Sequence, residues 1–239
     1  DDSLLREQAK RYGICRQLMA IAADGPQGRM YISPSNIRGK EIEALETEWL
    51  GQNLPDNPRW FSPPSYGLST YQDLFTPRQI VALSTFSDLI SEVKNQIYSD
   101  AKIAGMPDTK IALNDGGTGA LAYAEAVIIY LALVLNKMTD INNAFSTWKI
   151  DSECADHLFT RQAIPMVWDF VEANPLSNSR GSWKNTLRSI VKSMNGACLP
   201  AKGSDHKIKH LDAASQLISI DLPLISTDPP YYDNIGYAD

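Results

Sequence analysis

The sequence predicts a helix-rich α/β fold, with a mainly helical region over residues 1–112 and an incomplete parallel α/β region over 113–239. Three observations carry this expectation. In TPRQIVALSTFSDLISEVKNQIYSDA, the residues Ile80, Leu83, Phe86, Ile90, Val93 and Ile97 recur at helical spacing. The most apolar stretch, ALAYAEAVIIYLALVL (Ala120 to Leu135), holds 16 residues and Glu125, which suits a buried core helix better than a bilayer span. The last 35 residues change to a strand ending on an acid, a crossover, and a second strand that feeds a turn.

From the N-terminus, Ser3 is placed to cap a short helix containing Leu4 and Leu5, and GRMYIS (Gly28 to Ser33) is a short extended stretch before Pro34. KEIEALETEWLG reads as an acidic amphipathic helix stopped by Gly51, with Ile42, Leu45, Trp49 and Leu50 on one side. A loop with Pro55, Pro58, Pro63 and Pro64 leads to the long helix. There Thr76 is a natural N-cap, and Pro77 takes the first helical position, where a missing N–H costs nothing.

NDGGTG (Asn114 to Gly119) enters the apolar helix. A glycine-rich loop at such a place can cradle an anion with its backbone N–H groups. The lysine and hydroxyl of a phosphate loop are missing, so a turn and helix entry is the expectation. TRQAIPMVWDFVEANPL (Thr160 to Leu176) reads as an apolar helix broken by Pro165 and Pro175, with Arg161, Asp169 and Asn174 in cap roles or as polar site groups. Ser182 caps a helix running to Gly196, with Trp183, Leu187, Ile190, Val191 and Met194 as its apolar stripe. Lys184, Arg188 and Lys192 repeat every four residues on another face, either as a solvated face or as contacts to phosphates.

Beyond these helices, HKIKHLDAA is an expected strand ending at Asp212, and LPLIST (Leu222 to Thr227) an expected buried strand feeding the turn DPPYYDN.

The chain of 239 residues carries a net charge of −6, which argues weakly against a nucleic-acid partner. The charge is uneven. Leu176 to His210 holds seven cations against Asp205 alone, a net +6 that leaves −12 on the remainder. Local sign decides which face can meet phosphates. Cys15, Cys154 and Cys198 are far apart and form no C-x-x-C pair, so no zinc ribbon or disulfide framework is expected and a reducing compartment is favoured. The acidic opening DDSLLREQ is no secretory signal, and neither a membrane nor export is expected, which points to the cytoplasm. A missing initiator methionine and an end directly after DPPYYDNIGYAD suggest a piece of a longer protein.

The final turn carries the chemistry. An exocyclic amino group on adenine or cytosine is a poor nucleophile because its lone pair is delocalised into the ring. Two acceptors aimed at its N–H bonds pull the nitrogen toward tetrahedral geometry and free that pair. The Asp228 carboxylate can accept one hydrogen bond and the Pro229 carbonyl the other, and Pro230 helps hold them at a fixed separation. Tyr231 can stack on a base that has left the duplex, and Tyr232 extends the same platform. No metal is needed. Such a tetrapeptide arises by chance in roughly one chain of this size in a hundred.

The chain resembles the middle portion of the large bacterial and archaeal adenine-specific DNA methylases, amino-methyltransferases of the DPPY type. The stretches that carry the resemblance come in order: GRMYISPS, LFTPRQIVALSTFSDL, DGGTGALAYAEAV, TRQAIPMVWDFVEANPL and TDPPYYDNIGYAD. The last is the most specific. The resemblance implies a Rossmann-like methyltransferase sheet in 113–239, S-adenosylmethionine as donor and DNA as substrate. It implies that Asp228, Pro229, Pro230 and Tyr231 form the catalytic motif, and that Asp212 lies near the cofactor's adenine. Restriction-modification or defence proteins are expected partners.

The family's DPF-x-G-x-G cofactor motif and zinc ribbon are absent from the sequence, so the isolated chain is expected to bind the cofactor weakly or not at all and not to turn over. A non-catalytic nucleic-acid-binding or assembly module is the alternative, and cytosine or an RNA base is an alternative target.

Overall fold

Thr76 ends an extended segment and opens α2 (Pro77–Ile103) as its sequence predicts. Its backbone N–H donates to Gln79 Oε1 at 2.8 Å, while Thr76 Oγ1 accepts from the Gln79 N–H at 3.3 Å. This reciprocal pair satisfies two backbone donors that the first turn would otherwise leave open. α3 (Ala120–Thr139) packs along α2 and buries Ala120, Ala122, Ala124, Val134 and Met138. Small side chains near its start let the backbones approach, and each fully buried Val134 or Met138 contributes about 1.5–3 kcal/mol.

The expectation of a core helix holds for one face of α3 only. Tyr123, Ile129, Tyr130 and Leu133 are exposed. The helix also runs for 20 residues rather than 16, which brings it to a length and composition that can cross a membrane.

α1 (Asp2–Tyr12) starts two residues earlier than a Ser3 cap would place it. It rests on the turn Pro63–Tyr66, where the Tyr66 hydroxyl donates to Asp2 Oδ1 at 2.9 Å. GRMYI is extended as expected and forms β2 (Gly28–Ile32), paired antiparallel with β1 (Ile21–Gly25) across a two-residue turn. β3 (Trp148–Lys149) and β4 (Cys154–Ala155) form a second antiparallel pair. With α4 (Trp183–Gly196), the described residues make a mixed α/β fold of four helices and two small antiparallel sheets.

The main apolar cluster gathers Leu54, Leu74, Ala144, Phe145, Leu158 and Ile164, with Met166, Val167 and Phe170 packed against it. The last four belong to the stretch expected as a proline-broken helix, and that expectation is corrected: residues 163–175 hold no helix. Their backbone groups are taken by distant partners. Ile164 N–H donates to Trp60 O, Met166 N–H to Ser62 Oγ, and Val171 N–H to Ser146 O. Pro165 removes a further donor, and an apolar segment whose N–H groups are satisfied this way has no need of a helical ladder.

The structure, a computed structural model, describes residues 2–34, 51–57, 60–160, 163–197, 212 and 224–227. The expected helix KEIEALETEWLG therefore lies outside the described residues apart from Gly51, as does most of HKIKHLDAA. The chain divides into the units Asp1–Lys192 and Ser193–Asp239. In the second, Leu224–Thr227 are exposed and carry no strand pairing, which departs from the buried strand expected there. A parallel strand is held by neighbours on both sides, and no described residue supplies them.

Candidate functional site

α4 places the three cations singled out from the sequence. Ser182, fully buried, accepts from the Asn185 N–H at 3.4 Å, the cap role expected of it. The Asn185 amide donates back to the Asn178 and Ser179 carbonyls, tying the preceding turn to the first turn of the helix. On the inner side, the Trp183 ring stacks on Phe86 of α2 at 4.7 Å and 5°, and Thr186 is buried. With that side committed, Lys184, Arg188 and Lys192 are exposed on another. Spaced four residues apart, they span about 12 Å along the axis. Arg188 donates to Asn185 Oδ1 at 3.4 Å, and none of the three meets a carboxylate among the described residues. Such a row can bind phosphates without reading bases.

Asp228, Pro229, Pro230, Tyr231 and Tyr232 lie outside the described residues, as does Arg161. Asp212 is described and exposed. One exposed carboxylate can take a hydrogen bond from an adenine or a ribose but does not by itself make a cofactor cradle. Asp169 is exposed, and Asn174 closes a turn rather than capping a helix: its Oδ1 accepts from the Leu176 N–H at 2.9 Å.

The NDGGTG loop is a turn and helix entry. A short 3-10 turn, Leu113–Asp115, ends on Gly116 in the left-handed region. A Cβ on Gly117 would collide with the Ile111 carbonyl, so close backbone approach explains a glycine there. Several of its donors are already used, the Gly116 N–H by the Leu113 carbonyl and the Gly117 N–H by the Ala112 carbonyl. The Ala120 N–H bonds the Pro107 carbonyl at 2.9 Å, and the Leu113 N–H donates to Glu125 Oε2 at 2.8 Å. The other oxygen of Glu125 pairs with Lys94 Nζ of α2 at 3.1 Å.

Those bonds hold the Glu125 carboxyl below its ordinary value of 4.5, the Leu113 N–H first and then Lys94, against desolvation. A depressed carboxylate stabilises the fold fully above 4.5 and loses that contribution as pH falls through the lower folded value. Glu125→Gln should therefore destabilise the protein at neutral pH, with the gap to wild type closing under acid. Urea unfolding at neutral pH and well below 4.5 measures this, and an equal gap at both would exclude the charge as its source.

One polar arrangement had no signal in the sequence. Arg78, at the start of α2, forms a two-pronged ion pair with Glu172, both N···O distances being 2.9 Å. The pair borders a cleft of about 260 Å³ lined also by Gln79, Asn142 and Asn174. Gln79 Nε2 is buried there without a partner, though its Oε1 serves the cap of α2. Its capping role was legible from the Thr76–Gln79 spacing, whereas Arg78 and Glu172 are 94 residues apart and meet only through the fold.

No protein-family model, curated protein or solved structure matches the chain.

Proposed function

We propose that this chain is part of an S-adenosylmethionine-dependent DNA amino-methyltransferase whose target is the exocyclic amino group of adenine in a flipped-out base. The observation that carries the reading is the tetrapeptide Asp228-Pro229-Pro230-Tyr231 within STDPPYYDNIGYAD. Its acceptors suit an amino group and its aromatic ring suits a base face. In this reading Asp228 and the Pro229 carbonyl orient the two N–H bonds, and Tyr231, extended by Tyr232, holds the extruded base by stacking. S-adenosylmethionine supplies the methyl group. The Rossmann-like sheet belongs to the proposal as well, and rests on the motif rather than on the two antiparallel pairs.

A second reading, a nucleic-acid-binding module without catalysis, is favoured by one feature: the exposed Lys184, Arg188 and Lys192 face of α4, which meets no described carboxylate. Incubating the intact protein with labelled S-adenosylmethionine and duplex DNA separates the two. Label recovered as N6-methyladenine after digestion to nucleosides is the expected result. Recovery as N4-methylcytosine, or transfer to RNA alone, would change the target. Binding without any transfer would leave the second reading standing.

A further inference from the structure

Lys137, in the last turn of α3, donates from Nζ to Ser189 Oγ of α4 at 3.0 Å. Ser189 lies three residues before Lys192, its neighbour on the helix surface, so this bond brings a fourth exposed cation to the flank of the row of Lys184, Arg188 and Lys192. We propose that this joint α3–α4 surface docks the phosphate backbone of duplex nucleic acid, with Lys137 as a phosphate-contacting residue supplied from outside α4. The inference rests on the DNA-substrate part of the reading above.

The way the cations are held supports it. Arg6, Arg29, Arg78, Lys94, Lys102 and Arg180 each pair with a carboxylate. Lys137 is held by a hydroxyl and Arg188 by an amide oxygen at 3.4 Å, and α4 itself contains no acid; Arg16 is likewise held by neutral oxygens, the Asp73 and Phe75 carbonyls, but away from this row. A neutral partner orders a long side chain in advance, so part of its rotamer entropy is already lost, and leaves its charge available. The result is a two-helix patch of one sign, complementary to a polyphosphate.

An anionic membrane suits it less. Surface helices on lipid insert their apolar side, and on α4 the first turn of that side is committed, with Trp183 stacked on Phe86 and Thr186 buried, leaving only Val191 and Met194 of the stripe exposed. The bonds to Ser189 and Asn185 hold Lys137 and Arg188 at the surface, where phosphates can reach them.

The test is the salt dependence of binding to a duplex of unrelated sequence, measured on the intact protein without cofactor. Each phosphate contact adds about −0.9 to the slope of log K against log salt, so four contacts should cost roughly 150-fold in affinity between 50 and 200 mM salt. Lys137→Gln should reduce that loss to roughly 40-fold. The control Lys10→Gln, on α1, should keep the wild-type slope, and circular dichroism should show both variants folded. A wild-type slope in Lys137→Gln overturns the proposal. So does binding to phosphatidylserine vesicles, but not to duplex, that weakens on the same substitution. A protein with the expected slope that transfers no methyl group keeps this surface and loses the catalytic reading, while one that transfers methyl with an unaltered slope in Lys137→Gln does the reverse.

Discussion

Asp228→Ala is expected to slow methyl transfer to DNA by about 10²–10³-fold, with duplex binding unchanged. The reason is where the carboxylate acts in the proposed reaction. An amino group conjugated to the ring needs little help to bind but much help to become tetrahedral, and the acceptor strengthens its hold as that change proceeds. Losing it therefore removes an interaction made mainly in the transition state, which lowers kcat while KM stays close to wild type. Asp228→Asn keeps an acceptor of similar shape without the charge, and its loss should be smaller. Single-turnover incorporation of labelled methyl at saturating DNA measures both. Equal rates in wild type and Asp228→Ala would remove Asp228 from the chemistry, whatever became of the α3–α4 surface.

Gly181→Ala should destabilise the Asp1–Lys192 unit by about 3 kcal/mol, from a strained backbone and an overfilled contact together. Gly181 is buried at φ +86°, a region that suits glycine. A Cβ there would lie 2.7 Å from Ile141 Cγ2 and 2.9 Å from Ala173 Cβ. Neither neighbour has a flexible end that can swing away. The Gly181 carbonyl also accepts from buried Asn142 Nδ2 at 2.8 Å, so a backbone shift that relieved the clash would strain this bond. The position joins the end of α3 to the start of α4, and the loss should appear as a lower urea midpoint with an unchanged slope. A midpoint equal to wild type would show that the contact relaxes freely.

The elements readable from sequence were those whose signals are local. Thr76, Pro77 and Gln79 lie within one turn, and Ser182 and Asn185 within another, so both caps and the helices they open could be placed from spacing alone. GRMYI was readable as extended. Its partner IAADG was not, because a strand of small residues is identified by what it pairs with. Of the candidate site, the basic row on α4 was legible because a period of four residues puts its members on one face.

Residues 163–175 went the other way: the apolar pattern suggested a helix, yet their N–H groups donate to Trp60, Ser62 and Ser146 instead of to a helical ladder. The same holds for the ion pair of Arg78 with Glu172, the collision that reserves position 181 for glycine, and the arrival of Lys137 beside Ser189. Short-range order follows from hydrogen bonds and periodicity written within a few residues of chain. Contacts between residues 50 or 100 positions apart follow from which apolar faces pack together, and only the folded chain brings those residues within reach of one another.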